Sequence, residues 1–175
     1  MSILENLTIS LRAPEPGDLD LLYIWENDTT IWRISGTLAP FSRTVLKQYL
    51  DNAGKDIYEM KQQRLIIQLK STHRPVGAID LFDFDPHHHR AGVGILVADS
   101  SDRRQGYARE ALETLMAYCF EILNLHQLYC NIAAGNHASI ALFKDAGFEE
   151  IGRKKEWLFT GEGYEDELLF QKFIS

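Results

Sequence analysis

A chain of 175 residues is long enough for one domain (1–175) with a real core, and a formal net charge of −7 argues against general nucleic-acid binding, which wants a broad basic face. With 45% apolar residues it reads as an ordinary globular protein, and no apolar run approaches the roughly 20 residues of a membrane span. The opening MSILENLTISLR has no basic region followed by an apolar block, so no secretory signal is read there and a cytoplasmic location is expected.

LTISLRA (7–13) alternates and predicts a strand. Asp18 then caps a helix that places Leu19, Leu22, Tyr23 and Glu26 at helical spacing. Ser42 caps a second helix with Val45, Leu46, Tyr49 and Leu50 on one stripe. Three strands follow: RLIIQLK (64–70), VGAIDLFDF (76–84) and AGVGILVAD (91–99). The turn clusters STHRP and DPHHHR join them, so antiparallel pairing is expected. Gly92 and Gly94 point to a bulge or a close backbone approach in the third. A long helix carries Ala108, Ala111, Leu112, Leu115, Met116, Cys119, Ile122 and Leu123 at steps of three and four. QLYCNIAA (127–134) is a strand, and NHASIALFKDAGF a short helix with Asn136 as its cap and Gly147 as its stop. Two strands around the turn Thr160–Gly163 close the chain. The order predicts an α+β fold: a central mixed, mostly antiparallel sheet of about seven strands flanked by about four helices.

The start of the long helix, DRRQGYAREALETL (102–115), gathers Arg103, Arg104 and Arg109 around Gly106 in an acidic chain. A helix N-terminus offers unpaired N–H groups and partial positive charge. Glycine removes the Cβ that would keep a ligand off the backbone, and arginines add charge-assisted hydrogen bonds. Together they suit a phosphate or pyrophosphate; a solvated basic first turn is the plainer alternative. The stretch is neither a Walker loop nor a dinucleotide fingerprint, since GK[ST] and GxGxxG are both absent.

Two features together resemble the GNAT superfamily of acyl-CoA-dependent N-acetyltransferases. One is R103-x-x-G106-x-A108 after a strand ending at Val97; the other is Asn136 three residues before Ser139, with LFKDAGF closing the helix. NLHQLYCNIAAGNHASIALFKDAGF reads most like the branch of spermidine and ribosomal-protein N-terminal acetyltransferases. The resemblance implies acetyl-CoA as cosubstrate, with acetyl transfer to a small (di/poly)amine or a protein N-terminus through direct attack in a ternary complex. It implies that Arg103, Arg104, Gln105, Gly106, Tyr107 and Ala108 cradle the pyrophosphate through their amides, with Arg109 nearby. Backbone groups of Ile95, Leu96 and Val97 would pair with the pantetheine arm, joined by Asn136 and Ser139, with Phe143 and Lys144 beside the cofactor. It also implies pairing of copies through the C-terminal strands, which would give a homodimer.

Three family features are missing. The helix position where many relatives carry a proton-donating tyrosine is Phe143, and the fourth-strand position of a frequent glutamate is Gly92. The acidic pair of polyamine-specific members meets Thr37 and Leu38. Asp80 and Asp83, on the strand expected beside 91–97, and Tyr129 on the next are the substitute catalytic candidates, each also readable as a structural residue. Glu26 faces the expected acceptor side, and GEGYEDEL would add acidity there. The tract His87–His89 is not read as a metal site, because three adjacent histidines cannot all face one ion. Cys119 and Cys130 read as reduced core thiols. A second reading is a catalytically silent CoA-binding module.

Overall fold

The computed structural model describes residues 2–174. Strands β1 (Ile9–Arg12), β2 (Gln63–Leu69), β3 (Pro75–Asp85), β4 (Arg90–Val97), β5 (Gln127–Ala133), β6 (Glu149–Phe159) and β7 (Tyr164–Phe173) form one sheet in the order β1-β2-β3-β4-β5-β7-β6. Six helices accompany it: α1 (Leu19–Glu26), α2 (Thr29–Ser35), α3 (Arg43–Asn52), α4 (Ile57–Met60), α5 (Tyr107–Glu121) and α6 (His137–Asp145). The expected seven strands are there; α2 and α4 are additional to the four helices expected. Both are short and made by local chemistry. Asp28 and Asp56 accept amide hydrogen bonds from Thr30 and Tyr58, and left-handed Gly36 and Lys61 end the turns.

The core divides at the sheet. Leu65 and Ile67 pack with α5 residues Ala111, Leu112, Leu115 and Cys119, whereas Ile66 between them packs with Leu22, Trp25, Leu46 and Leu50 of α1 and α3. Strand alternation puts these groups on opposite faces. The same alternation sends Ala91 and Val93 of β4 and Leu128 and Cys130 of β5 toward α5. Gly92, Gly94 and Tyr129 therefore face the α1/α3 side. Both cysteines are buried and free, and burial pushes each thiol up to about 12, which leaves them as unreactive packing groups.

One departure from a continuous sheet positions the site. β4 and β5 pair in parallel only where Arg90, Ala91 and Gly92 face Gln127, Leu128 and Tyr129. Beyond that rung β4 stays bonded to β3 as far as Gly77 opposite Val97, and β5 stays bonded to β7 as far as Ala133 opposite Glu167. The facing edges of two well-held strands thus separate into a wedge, closed at Gly92 and Tyr129 and open at Val97. The glycine signal in β4 resolves as a close approach: a Cβ on Gly92 would lie 2.3 Å from the Phe82 ring. The bulge sits in β3 instead, between Phe82 and Asp85, with Asp83 at φ +47.

Candidate active site

At the open end of the wedge, the chain leaves Val97, makes a one-turn helix over Ser100–Asp102 and enters α5 through Gly106. Asp99 holds that turn by accepting from the Ser101 amide at 2.8 Å. Asp102 is buried and takes a bidentate grip from Arg74, both bonds 2.7 Å, so the loop is anchored to the start of β3. Arg103 donates from Nε to the Val97 carbonyl at 3.4 Å and closes the loop over the strand end. Arg104 at φ +61 and Gly106 at φ +86 turn the backbone so that the helix starts without a side-chain cap. The amides of Gly106, Tyr107, Ala108 and Arg109 have no acceptor among the described residues. Arg103, Arg104 and Gln105 are exposed around them. Arg109 instead runs along α5 and pairs with Glu113 at 2.9 Å.

Across the wedge, Asn136 caps α6 by accepting from the Ser139 amide at 3.2 Å, which leaves its NH₂ group to donate elsewhere. Lys144 is exposed at the last turn. Phe143, expected beside the cofactor, is 3% exposed and stacks edge-on against Phe148, 5.0 Å between centroids, so it belongs to the core.

On the α1/α3 face, Arg64 of β2 donates to both oxygens of Asp80, 2.7 and 2.9 Å away, and to Glu26 of α1. Burial opposes the guanidinium charge, but the two carboxylates hold its pKa above the usual arginine value. Asp80 and Glu26, read from the sequence as open acids, are therefore bound to a cation that the sequence reading missed. These three residues line a cavity of about 390 Å³ whose remaining walls include Leu22, Phe41, Leu46, Tyr49 and Phe82. Three of the four acids in 162–167 are partnered as well: Glu165 accepts from the Gly135 amide and Arg33, Asp166 pairs with Arg153, and Glu167 with Lys154.

Phe82 lies over Gly92 and meets Tyr129 edge-on at 5.8 Å, so the position of the family glutamate is filled by an aromatic ring from the neighbouring strand. The Tyr129 hydroxyl reaches Asp83 Oδ2 at 3.4 Å. The candidates Asp83 and Tyr129 are thus brought together, and Asp80 is held apart from them by Arg64. The His87 and His88 rings pack on each other and His89 meets the Asn124 carbonyl; among the described residues no group of three metal-ligating side chains converges. No helix among the described residues is long and apolar enough to cross a membrane.

The fold as a whole is shared with solved N-acetyltransferases. The crystal structure of spermidine N-acetyltransferase from Vibrio cholerae in complex with CoA and spermine superposes with a TM-score of 0.85 at 24% identity, covering 96% of each chain. The chain belongs to the acetyltransferase (GNAT) domain family, whose model matches residues 8–149, and acetyl-CoA is the cosubstrate of that family. The curated spermidine N(1)-acetyltransferase of Vibrio cholerae is 27% identical over 161 residues, 92% of this chain and 90% of that protein. A putative ribosomal N-acetyltransferase of Bacillus subtilis is 28% identical over 98 residues, 56% of this chain and 52% of its own length. The expected family, branch and enzyme class are thereby met.

Proposed function

We propose that this acetyltransferase moves an acetyl group from acetyl-CoA to a primary amine by direct attack in a ternary complex. The observation that carries the reading is the wedge opening from Gly92 toward the free amides at the start of α5. Diphosphate binds those amides together with the backbone of Arg103, Arg104 and Gln105, the two arginines adding charge at the rim. The open edge of β4 at Ile95, Leu96 and Val97 pairs with the amide groups of the arm as an added strand would. Asn136 donates its NH₂ to the same arm, with Ser139 beside it and Lys144 available to the phosphates. Holding both reactants supplies the proximity that makes the transfer effectively unimolecular.

The amine enters from the cavity on the α1/α3 face. Glu26 and Asp80 against Arg64 leave a single net negative charge there, which suits one ammonium on an apolar body rather than a row of ammonium groups. Above Gly94 a side chain would meet nothing within 4 Å, so that face of β4 is open to the acceptor. We also place a homodimer contact on the β6–β7 hairpin, where Trp157, Phe159 and Tyr164 are exposed; light scattering checks it.

Thiol release from acetyl-CoA, measured against a panel of mono-amines, polyamines and peptides with free N-termini, tests the reading. Release with at least one amine, stronger for mono-amines with apolar bodies than for spermidine, is the expected result. Tight CoA binding with no release for any acceptor would leave the silent module, a reading favoured by the burial of Phe143 and the covering of Gly92.

A further inference from the structure

We infer that Tyr129 is the proton donor to the departing thiolate and that Asp83, which accepts the phenol O–H before the sulfur departs, holds the hydroxyl in place, an inference that rests on the acetyl-transfer reading above. Two positions that would otherwise carry the proton chemistry are closed. Phe143 has no ionisable group and is buried, and Gly92 carries no side chain and lies beneath Phe82. Tyr129 stands opposite Gly92 on the last parallel rung, at the closed end of the wedge. Val93 is four residues back along β4 from Val97, where the diphosphate loop is anchored. At a rise of roughly 3.3 Å per residue this is a run of about 13 Å. An extended arm bound along this edge therefore brings its acyl end to Gly92 and Tyr129, away from the arginines.

Asp83 owes its position to the bulge in β3. Its φ of +47 takes it off the extended path of its neighbours, and its carboxylate meets the Tyr129 hydroxyl at 3.4 Å instead of pointing away from the strand. Such a conformation is strained in a residue other than glycine and persists only where its surroundings fix it. Phe82 fixes the other side of the tyrosine through its edge-on contact. The charged groups about Tyr129 are Asp83 and Arg90, the latter paired with Asp85 at 3.3 Å; Gln171, opposite in β7, is neutral. Burial first, and Asp83 second, push the phenol above its usual pKa, so it is fully protonated near neutrality.

The step balances without a further reactant. The ammonium loses a proton to water, and the free amine attacks the thioester carbonyl carbon. The C–N bond forms, the C–S bond breaks with its electron pair on sulfur, the acylated nitrogen gives its second proton to water, and Tyr129 swings its O–H from Asp83 to the sulfur and gives its proton to the thiolate. The phenolate then recovers a proton from solvent, and the products are the amide, the free thiol and one proton.

Tyr129→Phe keeps the ring and its contact with Phe82, so the fold is retained. We expect kcat to fall about 10²-fold, the usual contribution of a positioned acid, with KM for acetyl-CoA within about twofold of the parent. Asp83→Asn removes an influence that raises the phenol pKa. It shifts the alkaline fall of kcat to lower pH, and it shifts in the same direction the phenolate absorbance titration obtained as the difference between each protein and its Tyr129→Phe counterpart. A parent that releases thiol while Tyr129→Phe keeps its kcat would overturn the inference and spare the acetyl-transfer reading. An unmoved titration in Asp83→Asn would remove Asp83 from it. A parent that releases no thiol with any amine removes both.

Discussion

Gly106 can be replaced in a way that separates backbone strain from obstruction of a ligand. A Cβ built there meets nothing within 4 Å, so no substitution at 106 collides with the protein through that atom. What remains is the backbone, held at φ +86. Asparagine is among the side chains best tolerated there, whereas most other residues lose about 1–2 kcal/mol and a β-branched side chain is worst placed. Gly106→Asn should therefore unfold near the parent temperature. Gly106→Val should lose about 2–8 °C, taking about 2–4 °C per kcal/mol for a chain of this size. Both variants nevertheless put a side chain where an anion would approach the amides of Gly106 to Arg109. CoA affinity, read by isothermal titration calorimetry, should fall at least about tenfold in both, equivalent to about 1.4 kcal/mol. The asparagine variant is decisive, because asparagine tolerates a positive φ better than most side chains and so disturbs the fold least. If folded Gly106→Asn binds CoA as the parent does, the diphosphate does not lie on these amides and the placement of the cofactor fails.

Three further outcomes are expected. Gly92→Ala forces a methyl to within 2.3 Å of the Phe82 ring and should cost about 1–3 kcal/mol in urea denaturation. Adding Phe82→Ala should recover part of that loss, and strict additivity of the two changes would show that the ring does not press on residue 92. Asp102→Ala releases the loop from Arg74, which is half exposed and can return to water. Stability should drop by roughly 1.5–3 kcal/mol, with CoA binding weakened severalfold, and unchanged binding would mean that the loop holds its shape without the anchor. Asp18 accepts two bonds from Arg12, chiefly responsible for holding its carboxyl below the usual value, and one from the Glu15 amide. A lowered folded pKa gives stability that is complete above the unfolded value near 4 and lost as pH falls through the folded one. The stability gap between the parent and Asp18→Asn should be flat from about pH 5 to 8 and narrow steadily as pH falls below about 4; a gap that stays constant from about pH 5 to 2 contradicts the assignment.

The parts legible in the sequence share one property: their chemistry lies within a few consecutive residues. Strand alternation and the stripes of α1, α3 and α5 repeat over whole elements, and the Arg103–Ala108 turn and the Asn136 cap are each contained in a single stretch. Helices α2 and α4, of seven and four residues, are too short for a repeat to show, and only their aspartate caps announce them. The site residues that were missed are bonded across long separations. Arg64 lies 16 residues from Asp80 and 38 from Glu26, and Arg74 lies 28 from Asp102. A signal for the first existed: Arg64 stands at the head of the apolar run Leu65–Ile67, and once β2 and β3 are taken as an antiparallel pair it falls opposite Asp80.

Gly92 shows why an absence from a family pattern misleads when read one residue at a time. The missing glutamate leaves no vacancy, because Phe82, its partner across β3 and β4, occupies the space. A glutamate restored at 92 alone would meet that ring, so position 92 cannot be judged apart from 82. The residue after Phe82 is the one that leaves the extended conformation, and it carries a carboxylate toward the only phenol on that rung. A ring that excludes an acid from one strand is thus followed at once by an acid turned in from the next. A period-two reading would send Asp83 to the opposite face from Phe82, and only the bulge between Phe82 and Asp85 brings it back to Tyr129.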